Sequence, residues 1–174
     1  VYKRQKMDVF KNRPKSLVDL IESSAAHGDK PYLIFKDQVI TFNQHLILVK
    51  KAAHILQTKY EVQQGDRVAI YAANSPEWII FFWATVSLGA IACGLNGWWK
   101  GSEAIKAIND ADPKVVVADK ARFERIDETL EHPVMIFEQH DLSGYEQALD
   151  SFIRVDEDEC ACLLYTSGTT GTPK

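Results

Sequence analysis

The chain reads as an α/β fold with helices packed on a mostly parallel sheet, and three observations predict it. Strand-type and helix-period segments alternate along the sequence, the order that builds parallel sheets. Lys114–Ala118 is an almost pure valine run, the mark of a strand buried on both faces. The composition is that of a globular domain: of 174 residues, 46% are hydrophobic and 25% charged, which excludes disorder, collagen-like repeats and coiled coil. A chain of this length can bury a sizeable core.

Each element has a local reason. Ser16 is placed to cap a helix carrying Leu17, Val18, Leu20 and Ile21, with Asp19 favouring its N-terminal dipole. Tyr32–Phe35 and Val39–Phe42 are short β-type runs around Lys36-Asp37-Gln38, a predicted hairpin. Asn43 is expected to cap the next helix, whose Leu46, Val49, Ala53, Leu56 and Tyr60 recur every three or four residues and bury one face. Gly65-Asp66 breaks that pattern, and Arg67–Tyr71 follows as a strand.

Asn74-Ser75-Pro76-Glu77 is the clearest helix start, with Ser75 as N-cap, Pro76 at the first helical position and Glu77 on the dipole. The helix from Pro76 to Leu88 is apolar nearly all round and is expected deep in the core, with Gly89 ending it. Ala90–Leu95 reads as a strand. Ser102 then caps a helix to about Asp110, and the valine strand follows. Helix 120–131, strand 134–138, helix 144–152 and strand Cys160–Tyr165 complete the expected alternation.

Charge and targeting signals narrow the function. Twenty Lys and Arg against 24 Asp and Glu give a net charge of −4, so no electrostatic footprint for nucleic acid is present. The charge is uneven: residues 1–15 carry six Lys and Arg and one acid. No run approaches the roughly 18 apolar residues that span a membrane, and no apolar stretch follows the basic residues to make a secretory signal. Residues 1–6 precede a plausible start at Met7 and are expected to be a non-native leader; without them the charge moves from −4 to −7. An odd count of three cysteines, Cys93, Cys160 and Cys162, fits reduced thiols and a cytoplasmic location.

The chemistry is concentrated at the end of the chain. The strand Cys160–Tyr165 runs into Thr166-Ser167-Gly168-Thr169-Thr170-Gly171-Thr172-Pro173-Lys174. Gly168 and Gly171 let the backbone approach a ligand, and successive N–H groups in such a turn make an anion site. The hydroxyls add donors, Lys174 adds a compact positive charge, and no carboxylate intervenes. This composition describes a polyphosphate cradle. It is not the Walker pattern G-x-x-x-x-G-K-[ST], because only two residues separate Gly168 from Gly171 and Thr172-Pro173 stand before Lys174. A flexible linker is the bland alternative, opposed by the strand in front and the lysine behind.

Tyr165–Lys174, YTSGTTGTPK, resembles the signature phosphate loop of the adenylate-forming enzymes: acyl-CoA synthetases, luciferases and peptide-synthetase adenylation domains. Ile40–Asn43, Gly65–Ile70, Asn74–Trp78 and Leu88–Ile91 are similar to the family's motifs in order and spacing. Leu95–Trp99 resembles an Asn-Ala-Trp-Trp element of fatty-acyl and aryl CoA synthetases, with Gly94 where the family usually has Pro.

The resemblance implies that 7–174 is an incomplete N-terminal part of the AMP-binding large domain, ending at the phosphate loop. It implies a parent enzyme, an acid–thiol ligase of fatty-acid metabolism or aryl-acid activation. Such an enzyme couples a carboxylic acid, ATP with Mg²⁺, and CoA through an acyl-adenylate, with pyrophosphate and then AMP as products. Thr166, Ser167, Gly168, Thr169, Thr170, Gly171 and Lys174 would hold the ATP phosphates. The isolated chain is expected to be inactive, with no catalytic acid or base and no metal ligand assigned within it. An adenylation domain loading an amino or aryl acid onto a carrier protein is the first alternative. A non-catalytic nucleotide-binding scaffold and a phosphate-loop NTPase are the others.

The remaining candidates have bland readings. His27, His45, His54, His132 and His140 lack metal spacing, and His45 and His54 are nine apart rather than four. Cys160 and Cys162 share one face of a strand and are expected to be small core residues. Trp98-Trp99 can line a substrate or CoA channel or anchor a loop. Glu124, Asp127, Glu128 and Glu131 with Lys120, Arg122 and Arg125 read as a solvated helix face.

Overall fold

Alternation along β3 (Arg67–Tyr71) and β5 (Val115–Ala118) builds two cores on opposite faces of one sheet. The structure, a computed structural model, describes residues 8–165. Val68, Ile70, Val115 and Val117 face one layer, while Ala69, Tyr71, Val116 and Ala118 face the other. The sheet is completed by β4 (Ile91–Gly94), β6 (Val134–Ile136) and β7 (Cys162–Leu164) in the order β6-β5-β3-β4-β7, every pair parallel. Both faces of such a sheet must be covered, which is why its central strands are fully buried.

One cover is made by α1 (Leu17–Ser23), α2 (Phe42–Lys59) and α3 (Pro76–Ser87), the other by α4 (Gly101–Ala111). β4 and β5 lie on opposite sides of β3, and crossovers of one hand then place α3 and α4 on opposite faces. A separate antiparallel hairpin, β1 (Pro31–Phe35) and β2 (Gln38–Thr41), turns at Lys36 with φ 53.

Caps follow the expected chemistry with two shifts. Ser16 and Asp19 form a reciprocal capping box on α1, and Ser75 Oγ accepts from Trp78 N on α3. Thr41, not Asn43, caps α2, because Gln44 can return a bond to the Thr41 amide; Asn43 instead donates to Asp29. Lys100, not Ser102, precedes α4, and Glu103 accepts from the Lys100 amide. Within α3, Ile80, Phe81 and Ala84 are buried, but Trp78, Phe82 and Trp83 are only half-buried, so the helix is not enclosed all round.

Two predicted helices are corrected. In place of helix 120–131 there is one turn, α5 (Lys120–Phe123), capped by Asp119. The chain leaves the helix because the 125–126 backbone docks on Gly101: a Cβ there would lie 1.9 Å from Arg125 O. No helix forms over 144–152. Leu149 N donates instead to Lys50 O and, just past the segment, Ile153 N to Ser87 O, while Leu142, Leu149 and Phe152 fill the core beside α2 and α3. Strand 134–138 also ends early, passing into a 3₁₀ turn over Phe137–Gln139. Cys160 and Cys162 are exposed rather than core residues, because β7 is an edge strand among the described residues.

Candidate functional site

In parallel sheets ligands bind beyond the carboxyl ends of the strands where their order reverses. Here that point is β3, whose successors in sequence lie on either side of it. A cleft of about 600 Å³ opens there, lined by Ala72–Asn74 after β3, Gly94–Trp98 after β4, Leu164 and Tyr165 at the end of β7, with Trp78 and Arg122. Among the described residues, its only charged lining group is Arg122, and no carboxylate lines it. A second cleft of about 500 Å³ shares Ala73, Asn74 and Arg122 with it but is also lined by Glu77, Asp119, Glu138 and Asp141. The first is therefore the one suited to an anion.

A hydrogen-bonded rim holds the first cleft open. Asp119 Oδ2 accepts from Ala73 N at 2.7 Å and Oδ1 from Arg122 N at 2.7 Å, tying the end of β3 to α5. Arg122 lies 3.4 Å from Asp119 Oδ2, and its Nε donates to Gly97 O at 3.3 Å. Arg125 donates to Gly97 O at 3.0 Å and Trp99 O at 3.4 Å. Tyr71 OH also donates to Trp99 O, at 2.9 Å. The 96–99 turn is thus fixed through its carbonyls from three directions. Gly97 is required for it, since a Cβ would lie 2.7 Å from Ala72 O.

Tyr165, which covalently precedes Thr166, is anchored on the other side. Its hydroxyl donates to Ala107 O at 2.9 Å and lies 3.1 Å from Asp110 Oδ2. Its ring meets Trp99 edge to face at 5.7 Å between centroids. Burial, with the Asp110 carboxylate beside it, pushes the phenol pKa up, so Tyr165 stays neutral.

The predicted phosphate-holding residues Thr166, Ser167, Gly168, Thr169, Thr170, Gly171 and Lys174 lie outside the described residues, as do residues 1–7. Of the tryptophan pair, Trp99 is the loop anchor and Trp98 is 87% exposed. Arg122 and Arg125, read from sequence as a solvated face, are rim residues. Only Asp119, three before Arg122 and able to cap it, offered a signal for that; nothing in the spacing pointed to Gly97. His45 is buried against Tyr32, and burial lowers its pKa to about 4. Among the described residues, no group of three or more His, Cys, Asp or Glu is placed to hold a metal, and no helix is long and apolar enough to cross a membrane.

Comparison with known proteins fits this geometry. A family model described as AMP-binding enzyme matches residues 20–174. The 2-succinylbenzoate–CoA ligase of Bacillus velezensis is 31% identical over 156 residues, covering 89% of this chain and 31% of that protein. The chain thus spans about a third of the length of that relative. The N-terminal subdomain of Klebsiella oxytoca NpsA superimposes with a TM-score of 0.80 at 24% identity, over 92% of this chain and 41% of that one. An artificially fused adenylation–PCP di-domain, NpsA-ThdA of Klebsiella oxytoca, does so with a TM-score of 0.81 at 23% identity, over 95% and 32%.

Proposed function

Because the chain belongs to the AMP-binding enzyme family, we propose that it supplies the ATP-phosphate end of an enzyme that activates a carboxylic acid, fatty or aryl, and passes it to CoA. The reading rests on one observation: the cleft at the reversal of strand order, lined by no carboxylate among the described residues, receives Tyr165, and Thr166–Lys174 follows directly in the chain. On this reading, 7–174 is the N-terminal part of a larger catalytic domain, and the enzyme is cytoplasmic.

The division of labour follows from the groups available. Gly168 and Gly171 bring backbone N–H groups to the β- and γ-phosphates, and Thr166, Ser167, Thr169 and Thr170 add hydroxyl donors. Lys174 neutralises charge that grows on departing pyrophosphate. None of these groups exchanges a proton in the step. Arg122 is the charged side chain the described lining offers, and Asp119 holds it in place. Mg²⁺ would arrive with the nucleotide; among the described residues the cleft lining has no carboxylate to hold it.

CoA as acceptor is supported by the ligase relative. A carrier-protein acceptor is the second reading, supported by the likeness to the adenylation–PCP fusion. The test is carboxylate-dependent ATP–pyrophosphate exchange. Purified 1–174 is expected to show none. A longer chain containing it is expected to show exchange that falls by roughly 100-fold or more in Lys174→Ala or Gly168→Val. Exchange by 1–174 alone would refute its inactivity, and acid-independent ATP hydrolysis by the longer chain would favour an NTPase. CoA and carrier protein as alternative acceptors then separate the two ligase readings.

A further inference from the structure

Cys160 and Cys162 are two thiols for which the proposed chemistry has no use. They flank Ala161 where the chain enters β7, Cys162 being the first residue of the strand and Cys160 lying two before it. Both are exposed, whereas Cys93 on the adjoining strand β4 is fully buried. Cys160 Sγ already leans along the strand, 3.5 Å from the carbonyl oxygen of Cys162. Cys160 also lines a groove of about 500 Å³ between the 155–161 segment and residues 9–20, through which a small reagent can reach it.

We propose that Cys160 and Cys162 form a dithiol modification site that reacts with small-molecule disulfides and closes to an intramolecular disulfide, loosening β7 from β4. The spacing makes closure feasible but coupled to the backbone. Two residues of strand span about 6.6 Å, whereas disulfide-linked Cα atoms are commonly about 5.5–6 Å apart and at most about 6.8 Å. Closure therefore draws the segment in and displaces the peptide between the two cysteines. That peptide carries the Ala161 carbonyl, which accepts from Ala92 N at 3.0 Å and starts the β4–β7 ladder. β7 has only three residues with which to hold its register.

The reaction balances with a disulfide of the glutathione class as oxidant. One cysteine loses its proton and attacks the reagent, forming a mixed disulfide and releasing one thiolate. The other cysteine then loses its proton and attacks the protein sulfur of that mixed disulfide, releasing the second thiolate. Two protein thiols are oxidised and one reagent disulfide is reduced to two thiols. Cys93, buried among Ala69, Tyr71 and α4, is out of reach.

The experiment incubates the 174-residue chain with oxidised and reduced glutathione, quenches with acid, and maps cysteines by peptide mass spectrometry. The peptide holding both cysteines is expected to lose two hydrogens with Cys93 still a thiol. Cys93→Ser should close the same bond, and Cys160→Ser should stop at a glutathione adduct on Cys162. In the oxidised chain the Ala92 amide should exchange about tenfold faster, the loss of roughly one ladder hydrogen bond, while β3 and β5 amides are unchanged. A stable double glutathione adduct, an intermolecular disulfide as the main product, or closure without a change at Ala92 would each overturn the proposal.

Discussion

His45 sits 2% exposed against Tyr32, with no hydrogen-bond partner for Nε2 among the described residues, and burial alone lowers its pKa from 6.5 to about 4. The unfolded imidazole takes up a proton near pH 6.5 and the folded one only near 4. Stability is therefore lost as pH falls through that window and not further below it. The loss attributable to His45 is about 2 kcal/mol by pH 5. Denaturant midpoints at pH 7 and pH 5 should fall further for the native chain than for His45→Leu; equal falls would remove His45 as the cause. Gly97→Ala is the other single-atom test. The new Cβ meets a backbone oxygen, so a cost of about 1–3 kcal/mol is expected in a thermal melt. Neither residue's role was legible in the sequence: a histidine on an apolar helix face and a glycine before two tryptophans do not show what packs on them.

At the scale of elements, local chemistry and tertiary contact compete, and Gly101 shows which wins. Within a helix, Gly→Ala ordinarily gains about 0.5–1 kcal/mol. Here a Cβ would lie 1.9 Å from Arg125 O, too close for a side-chain rearrangement to relieve. Gly101→Ala should therefore destabilise by at least about 2 kcal/mol, read as a lower denaturant midpoint; a stabilised variant would show that the 124–126 segment is not docked there. Ser75→Ala removes the α3 cap, and a loss of about 1 kcal/mol is expected by the same measurement. α3 and the capping box of α1 were readable because their signals lie within four residues. Helices 120–131 and 144–152 were misread for the opposite reason. Their apolar spacing is helical, but the 125–126 backbone packs against Gly101 and Leu149 N donates to Lys50 O of α2, partners that lie far away in sequence.

For the whole molecule, the parallel order β6-β5-β3-β4-β7 sets a gradient of local stability. β3 and β5 are buried on both faces, while β7 is exposed along its three residues and joins β4 across a long stretch of chain. Amide exchange should be slowest in β3 and β5 and faster by at least about 100-fold in β7; uniform protection would contradict this hierarchy. The sequence by itself determined the fold class, the succession of strands and most helices along the chain, the hairpin and the family resemblance. Those follow from period, caps and composition, which are local properties. Tertiary structure alone decided that β3 is where strand order reverses, that the described lining of the cleft beside it carries an arginine and no carboxylate, and that Asp119, Arg122, Arg125 and Tyr71 fix the 96–99 turn. It also put Cys160 and Cys162 in solvent. Each of these depends on which distant segments meet, and strand order in a parallel sheet is set by crossovers that no short window of sequence contains.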